Sequence, residues 1–424
     1  MIIKNVTVVD GTGGAPLTGM DVVIADGRFA DIRPTATGPA AASGGLGEEE
    51  VLDGRGGYLV PGLWESHTHL TGHAMALPEE ERVAHLRTQL ADYLKAGITS
   101  VCDLGGSIAY GHEVRQAARP GSAATLFFAG PVFTGPEGWP LAVHGDRTMA
   151  LETGSADAAH RSVQDLLGQV DFVKCIFDGN DGERLPLAAL EAIVNEAHQA
   201  GKKVLAHVAT AGDVRDAVRA GVDGIEHSFV PQDPADLGEA EEIAALLAEA
   251  GTLYCPTIVT WEQLGHNGDH THLDRLVADG AITAEEAAEI TARPAWGQPF
   301  PHHPADESKI RFDYAMRTLP LFHDAGVKLV AGSDIALTMP TPTSALLREL
   351  QLFAQAGLPC SEIIAAATSR AAEKIGKHGT VGTVTAGAAA DALLLEADPL
   401  SDISHLTDTR HHRAVIHAGR LAHR

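Results

Sequence analysis

Ala-Gly pairs at 96–97, 200–201, 220–221, 250–251 and 325–326 each close a stretch of helical character and lead into an apolar, β-branched run. Glycine tolerates the left-handed conformation that follows a helix end, so each pair marks a helix stop feeding a strand. Strands are read at 59–64, 98–102, 125–129, 172–176, 203–207, 224–227, 253–257 and 328–331. Repetition of this α-to-β unit predicts an α/β chain folded as a (β/α)8 TIM barrel over residues 58–375, with functional groups gathered at the C-terminal strand ends. A doubly wound open sheet is the alternative, but no Gly-x-Gly-x-x-Gly follows the first strand.

The chain ends read differently. Residues 1–57 carry short alternating strands at Ile2–Val9, Met20–Ala25 and Arg28–Ile32, with Asp26-Gly27 as a hairpin turn and a loop rich in Ala, Gly and Pro from Pro34 to Leu46. Residues 376–424 return to β signals at Gly379–Val384, Gly387–Asp391, Ala392–Leu395 and Arg413–His417, with Ala418-Gly419 as a turn. So few strands at either end cannot bury a core alone. Both ends are therefore expected to build one small composite β-sandwich domain. Two connections, 130–155 and 258–305, are too long for simple loops and read as lids or binding segments, the second with a helix near 283–292.

Chemistry concentrates where the strands stop. His67 and His69 end the first run, and side chains two apart on a strand share a face, so both imidazoles can reach one point. His207 ends Lys203-Val-Leu-Ala-His, His227 ends Asp223-Gly-Ile-Glu-His, and Asp334 follows Leu329-Val-Ala-Gly-Ser. An isolated His is more often a core or surface residue, but parallel barrel strands would bring all of these to one rim. Lys174 shares a face with Phe172 and Ile176, which drives its ammonium into the interior, where a lone charge is costly. Carbamylation by carbon dioxide would turn it into a carboxylate bridging two metals; pairing with Asp334 or Asp103 is the plainer alternative. His67, His69, Lys174, His207, His227 and Asp334 are thus the expected ligands of two divalent ions, Zn first and Mn or Fe next, with Asp334 also the catalytic proton shuttle. His144, in a loop, and Val208, next to His207, are the candidates for binding the substrate. His266, His270, His272, His302 and His303 read as loop histidines.

Taken together these residues resemble the amidohydrolase superfamily. The resemblance rests on Pro61-Gly62-Leu63 leading to His67-x-His69, Lys174, His207, Glu226-His227 and Gly332-Ser333-Asp334, with Gly379 to Gly387, Ala390 to Leu395 and Asp398-Pro399-Leu400 similar to its closing β segment. It implies a binuclear metal-dependent hydrolase, most similar to the branch of imidazolonepropionase-related proteins, Xaa-Pro and other dipeptidases, and ochratoxin-type amidases. His207-Val-Ala-Thr210 lacks the His-x-x-Glu of the superfamily's deaminases. Prolidase-like members carry a Tyr that holds the substrate carboxylate where this chain has Val208, which leaves proline dipeptides in doubt.

The expected activity is hydrolysis of an amide, in an N-acyl amino acid, a dipeptide or a cyclic amide, by a hydroxide bridging the two metals. A lactonase or organophosphate hydrolase on the same centre, a mononuclear imidazolonepropionase-like enzyme, and a non-catalytic metal-binding protein are the rivals. A net charge of −25 argues against nucleic-acid or anionic-membrane partners. No segment has the run of about 20 apolar residues that a membrane helix needs. The first residues do not read as a signal peptide, and Cys102, Cys175, Cys255 and Cys360 show no Cys-x-x-Cys spacing, which fits a reducing cytoplasm. A small-molecule substrate is the expected partner, and a homo-oligomer is left open.

Overall fold

The computed structural model describes residues 1–35, 50–141, 148–179, 182–300, 303–334 and 342–424. The chain opens on β1 (Ile2–Val8), β2 (Leu17–Ala25), β3 (Arg28–Pro34), β4 (Val51–Asp53) and β5 (Tyr58–Pro61). Asp26 and Gly27 join β2 to β3 with φ of 51° and 74°, the paired left-handed residues of a tight hairpin. Then β6 (Leu63–Thr68), β7 (Ile98–Asp103) and β8 (Thr125–Phe128) form one parallel sheet. A second parallel sheet holds β9 (Val132–Thr134), β10 (Ala150–Glu152), β11 (Val173–Ile176), β12 (Val204–His207), β13 (Gly224–Glu226) and β14 (Leu253–Cys255), in the order β10-β9-β11-β12-β13-β14.

All five Ala-Gly glycines stand at positive φ: 84° at Gly97, 69° at Gly201, 89° at Gly221, 68° at Gly251 and 86° at Gly326. Each therefore ends a helix as read, and β7, β12, β13 and β14 follow the first four. The fifth leads to a segment that differs from the expected strand at 328–331. Only Leu329 bridges, in parallel, to Tyr254. Lys328 and Val330 on either side of it bond to Tyr254, but beyond this single bridge the Ala331 amide donates to the Ala366 carbonyl at 3.1 Å and the Ser333 amide to Glu65 Oε1 at 2.9 Å. These bonds replace a strand ladder.

The first expected strand, 59–64, is in fact two. Tyr58–Pro61 pairs with β1, and Leu63–Thr68 begins the parallel sheet. The change of sheet falls at Gly62, where a Cβ would lie 2.2 Å from Thr99 Oγ1, so only glycine lets the backbone pass.

Near the C-terminus, β15 (Ala392–Leu395), β16 (His412–His417) and β17 (Arg420–His423) complete a mixed sheet ordered β17-β16-β15-β5-β1-β2-β3, with β4 beside β1. Residues 379–391 are turns rather than the expected strands, tied back by Val384 donating to the Asp10 carbonyl at 3.1 Å. Sequentially distant ends thus share one sheet and one apolar cluster, which includes Ile3, Val22, Phe29, Leu59, Leu394 and Ile416. The two hairpin turns touch: a Cβ on Gly419 would be 2.7 Å from Gly27 Cα.

The larger core lies between the parallel strands and the helices. A separate apolar cluster joins Trp64 of β6, Cys102 of β7, Leu205 of β12, and Leu253 and Cys255 of β14 with Phe172 and Val330. Lys174 and His207 continue the faces of Phe172 and Leu205 two residues further along, so the polar groups sit directly beyond this apolar layer. Among the described residues, no helix is long and apolar enough to cross a membrane.

Candidate active site

Each strand delivers its histidine because the strand ends there. His67 is the penultimate residue of β6, His69 lies one past its end, His207 is the last residue of β12 and His227 is the first after β13. Their rings form a chain, with centroids 5.4 Å apart for His67–His69, 4.8 Å for His67–His227 and 4.4 Å for His207–His227. Asp334 closes the group. Its Oδ1 is 3.5 Å from His67 Nε2 and 3.4 Å from His69 Nε2, and its Oδ2 is 3.6 Å from His227 Nδ1.

Lys174 is 1% exposed, and its Nζ has no hydrogen-bond partner among the described residues. No ion pair joins it to Asp334 or Asp103, so the plainer alternative for this lysine is not what the structure shows; Asp103 instead accepts from the Thr71 amide at 3.0 Å. Val208 is fully buried in the main core. His144 lies outside the described residues.

The backbone is strained at the strand ends. His227, Thr257 and Asp334 adopt φ of 74°, 49° and 45°, a left-handed conformation that costs about 1–3 kcal/mol for a non-glycine residue. Hydrogen bonds hold it: the Asp334 amide donates to the His67 carbonyl at 2.8 Å, and the His227 amide to the Cys255 carbonyl at 2.8 Å. Glu65 adds a clamp between β6 and the Asp334 segment, accepting from the Ser333 hydroxyl at 2.6 Å and from the His67 amide at 3.1 Å. Burial pushes the Glu65 carboxyl up to about 7 even so.

Behind the histidines lie residues that sequence reading passed over. Glu226 Oε2 is 2.6 Å from His67 Nδ1, and its Oε1 is 2.7 Å from Lys374 Nζ; all three side chains are essentially without exposure. Burial would raise Glu226, but Lys374 and His67 outweigh it and hold the carboxyl below the usual carboxylate range. The ionised Glu226 fixes the tautomer and orientation of His67. Burial, joined by the charge of Lys174, pushes His67 down to about 3, so its ring is neutral, with a buried Nε2 that has no hydrogen-bond partner. His227 Nδ1 is 2.8 Å from Thr257 Oγ1, and His207 Nε2 is 2.6 Å from Asp178 Oδ2. Burial, then the neighbouring His207, pushes His227 well down. For Asp334, burial is outweighed by His67, His227 and His69, which hold the carboxyl well below its ordinary value. Burial lowers Lys174 to about 8.

Asp178 could have been found, since period two from Lys174 passes through Ile176 to it. Glu226 stood in the sequence only as the neighbour of His227. Lys374 had no local signal, because it ends a helix (Ser369–Lys374) far along the chain.

The donor set fits divalent metal. Imidazole with carboxylate suits borderline ions, and nitrogen and oxygen donors of His67, His69 and Asp334 lie within 4.8 Å of one another. His67, Glu226 and Cys255 form a second close group, but Lys374 already occupies Glu226 and burial keeps the Cys255 thiol protonated. Two tryptophans flank the histidines: Trp139 stacks near His207 with centroids 6.3 Å apart, and Trp261 meets His227 edge-on at 6.1 Å. The Trp261 helix, Ile258–Gly265, is anchored at its start by Glu349, which accepts from the Ile258 and Val259 amides at 3.0 and 2.7 Å.

Ochratoxinase of Aspergillus niger is 26% identical over 407 residues, covering 86% of this chain and 75% of the relative. N-acyl-D-aspartate deacylase of Alcaligenes xylosoxydans xylosoxydans is 30% identical over 207 residues, 47% of this chain and 34% of that one. A solved Xaa-Pro dipeptidase with bound methionine in the active site shares the fold, at a TM-score of 0.75 and 21% identity over 99% of this chain and 98% of its own. The model of the amidohydrolase family matches residues 58–422, from the strand before His67 to the last β hairpin. This chain therefore belongs to the amidohydrolase family and is a hydrolase acting on amide bonds.

Proposed function

We propose that the protein hydrolyses the amide bond of a small molecule, an N-acyl amino acid, a dipeptide or a cyclic amide, with two divalent cations held by His67, His69, His207, His227, Asp334 and a carbamylated Lys174. The observation that carries this is the convergence of four imidazoles and a carboxylate on a region where Lys174 Nζ and His67 Nε2 are buried without hydrogen-bond partners. A buried amine lacking any acceptor is costly as it stands. Reaction with carbon dioxide forms a nitrogen–carbon bond and releases one proton, converting the amine into an anionic donor. Two parallel sheets whose inward apolar residues form one cluster support a closed (β/α)8 barrel, and the touching hairpin turns support a sandwich-like fold for the terminal sheet.

When bound, such cations polarise an amide carbonyl and acidify a water. Asp334, ionised and set among three imidazoles, accepts the proton that the attacking water loses and returns it to the departing amine. The Glu226–Lys374 pair keeps His67 oriented throughout, and Trp139 and Trp261 shield the histidines from bulk water.

Metal content per chain, measured on protein purified without chelator, tests the ligand set. Near two ions in the parent and fewer in Lys174→Ala is the expected result. One ion in both would reduce the site to a mononuclear one with Lys174 as a structural charge. Screening N-acyl amino acids and dipeptides beside lactones and phosphotriesters separates the amidase from the lactonase and organophosphate rivals.

A further inference from the structure

Arg311 and Arg348 are both buried beside the short helix Ile258–Gly265, and they are satisfied in opposite ways. Arg348 forks onto Glu262, Nε to Oε2 at 2.9 Å and Nη2 to Oε1 at 2.6 Å. That is a closed structural pair. Arg311, 2% exposed, makes one ionic contact among the described residues, Nη2 to Glu307 Oε1 at 3.3 Å, and the Glu307 side chain is itself 42% exposed. Its Nε is buried with no hydrogen-bond partner among the described residues.

Position gives this unsatisfied donor a use. The Arg311 guanidinium lies 4.3 Å over the ring of Trp261, and the same ring meets His227 at 6.1 Å. One aromatic ring therefore separates a buried cation from the histidine cluster. Trp261 Nε1, and Ser308 Oγ one turn before Arg311, are also buried without partners. Buried donors that lack acceptors are costly until an acceptor arrives, and a guanidinium matches a carboxylate with two parallel hydrogen bonds. Burial lowers the proton affinity of Arg311, while Glu307 and Asp178, the partner of His207, oppose that loss. An arginine stays charged under such conditions.

We propose that Arg311 is the specificity group of the site, holding the carboxylate of an anionic amide substrate such as an N-acyl amino acid or a dipeptide. The assignment rests on the amide-hydrolase reading and narrows it to substrates with a free acid beyond the scissile bond.

The test compares N-acetyl-L-leucine with N-acetyl-L-leucinamide as substrates of the metal-loaded protein, and L-leucine with L-leucinamide as ligands in calorimetry. The parent is expected to prefer the acid of each pair. Arg311→Gln is expected to lose about 10- to 100-fold in kcat/KM and affinity for the acids, and to change less than about threefold for the amides. Acid binding retained in Arg311→Gln would place the carboxylate elsewhere and overturn the assignment; so would equal loss for acid and amide. Should Arg311→Gln fail to fold, Arg311→Lys keeps the charge without the fork, and the same acid-selective loss is expected; parental discrimination in that variant overturns the assignment. A parent that binds L-leucine through Arg311 yet cleaves no amide would sink the hydrolase reading and leave the anchor standing.

Discussion

His67 and Lys174 are equally buried, on strands of two different sheets, yet the protein completes the surroundings of only one of them. His67 is fixed by a chain running through Glu226 to Lys374, at 2.6 and 2.7 Å. Lys174 has no hydrogen-bond partner among the described residues. A side chain positioned by a finished buried network is preorganised before anything binds. A buried amine without a partner is preorganised for something that has yet to arrive. The comparison separates what this chain builds by folding from what it leaves for a small molecule or ion to complete.

Asp334 stands between the two, so its loss is expected to have the largest effect. Asp334→Asn keeps the size and hydrogen-bonding capacity of the side chain but cannot accept a proton. A fall of about 10²- to 10⁴-fold in kcat is expected, with metal content near that of the parent. Full turnover in this variant, measured beside its metal content, would remove the proton-shuttle role.

Next in size is a break in the finished network. Lys374→Met leaves the buried Glu226 carboxylate without its cation, which is expected to cost about 3–5 kcal/mol of stability by denaturant unfolding. Metal affinity should fall about 10- to 100-fold as His67 loses its fixed orientation. Replacing both partners, Lys374→Met with Glu226→Gln, should recover much of the stability but little of the affinity. Recovery of both together would show that the pair supports packing alone and has no hold on His67.

Much of this architecture was legible because it rests on local chemistry. The Ala-Gly helix stops announced themselves through the conformational freedom of glycine, and the strand-end histidines followed from the runs they close. Gly62 hid the change of sheet, because what makes it necessary is Thr99, a contact that no local pattern encodes. Lys374 was hidden for the same reason: its partner is 148 residues away along the chain, by subtraction of 226 from 374. The left-handed backbone at His227, Thr257 and Asp334 runs against the preferences of those residues, so only the completed hydrogen-bond network explains it. Arg311 and Arg348 look alike in sequence, and only the position of Glu262 against one and not the other tells them apart.

The smallest effect separates His67 and Lys174 by pH in the metal-free protein. Burial, then the charge of Lys174, lowers His67 from 6.5 to about 3, so between those values the unfolded chain binds a proton that the folded one does not. Lys174, lowered by burial from 10.5 to about 8, has the same sign in a different window. Stability rises with pH wherever the unfolded state holds more protons, so each residue contributes a rising limb, His67 from about pH 3 to 6.5 and Lys174 from about pH 8 to 10.5. Lys174→Met should flatten the alkaline limb and shorten the acid limb only in part, since burial, the larger cause of the His67 shift, remains, as read by urea midpoints across the pH range with chelator and without carbon dioxide. An alkaline slope unchanged by the substitution would mean that Lys174 is held as a charged, partnered group in solution. The contrast with His67 would then vanish, because both side chains would belong to networks the protein completes by itself.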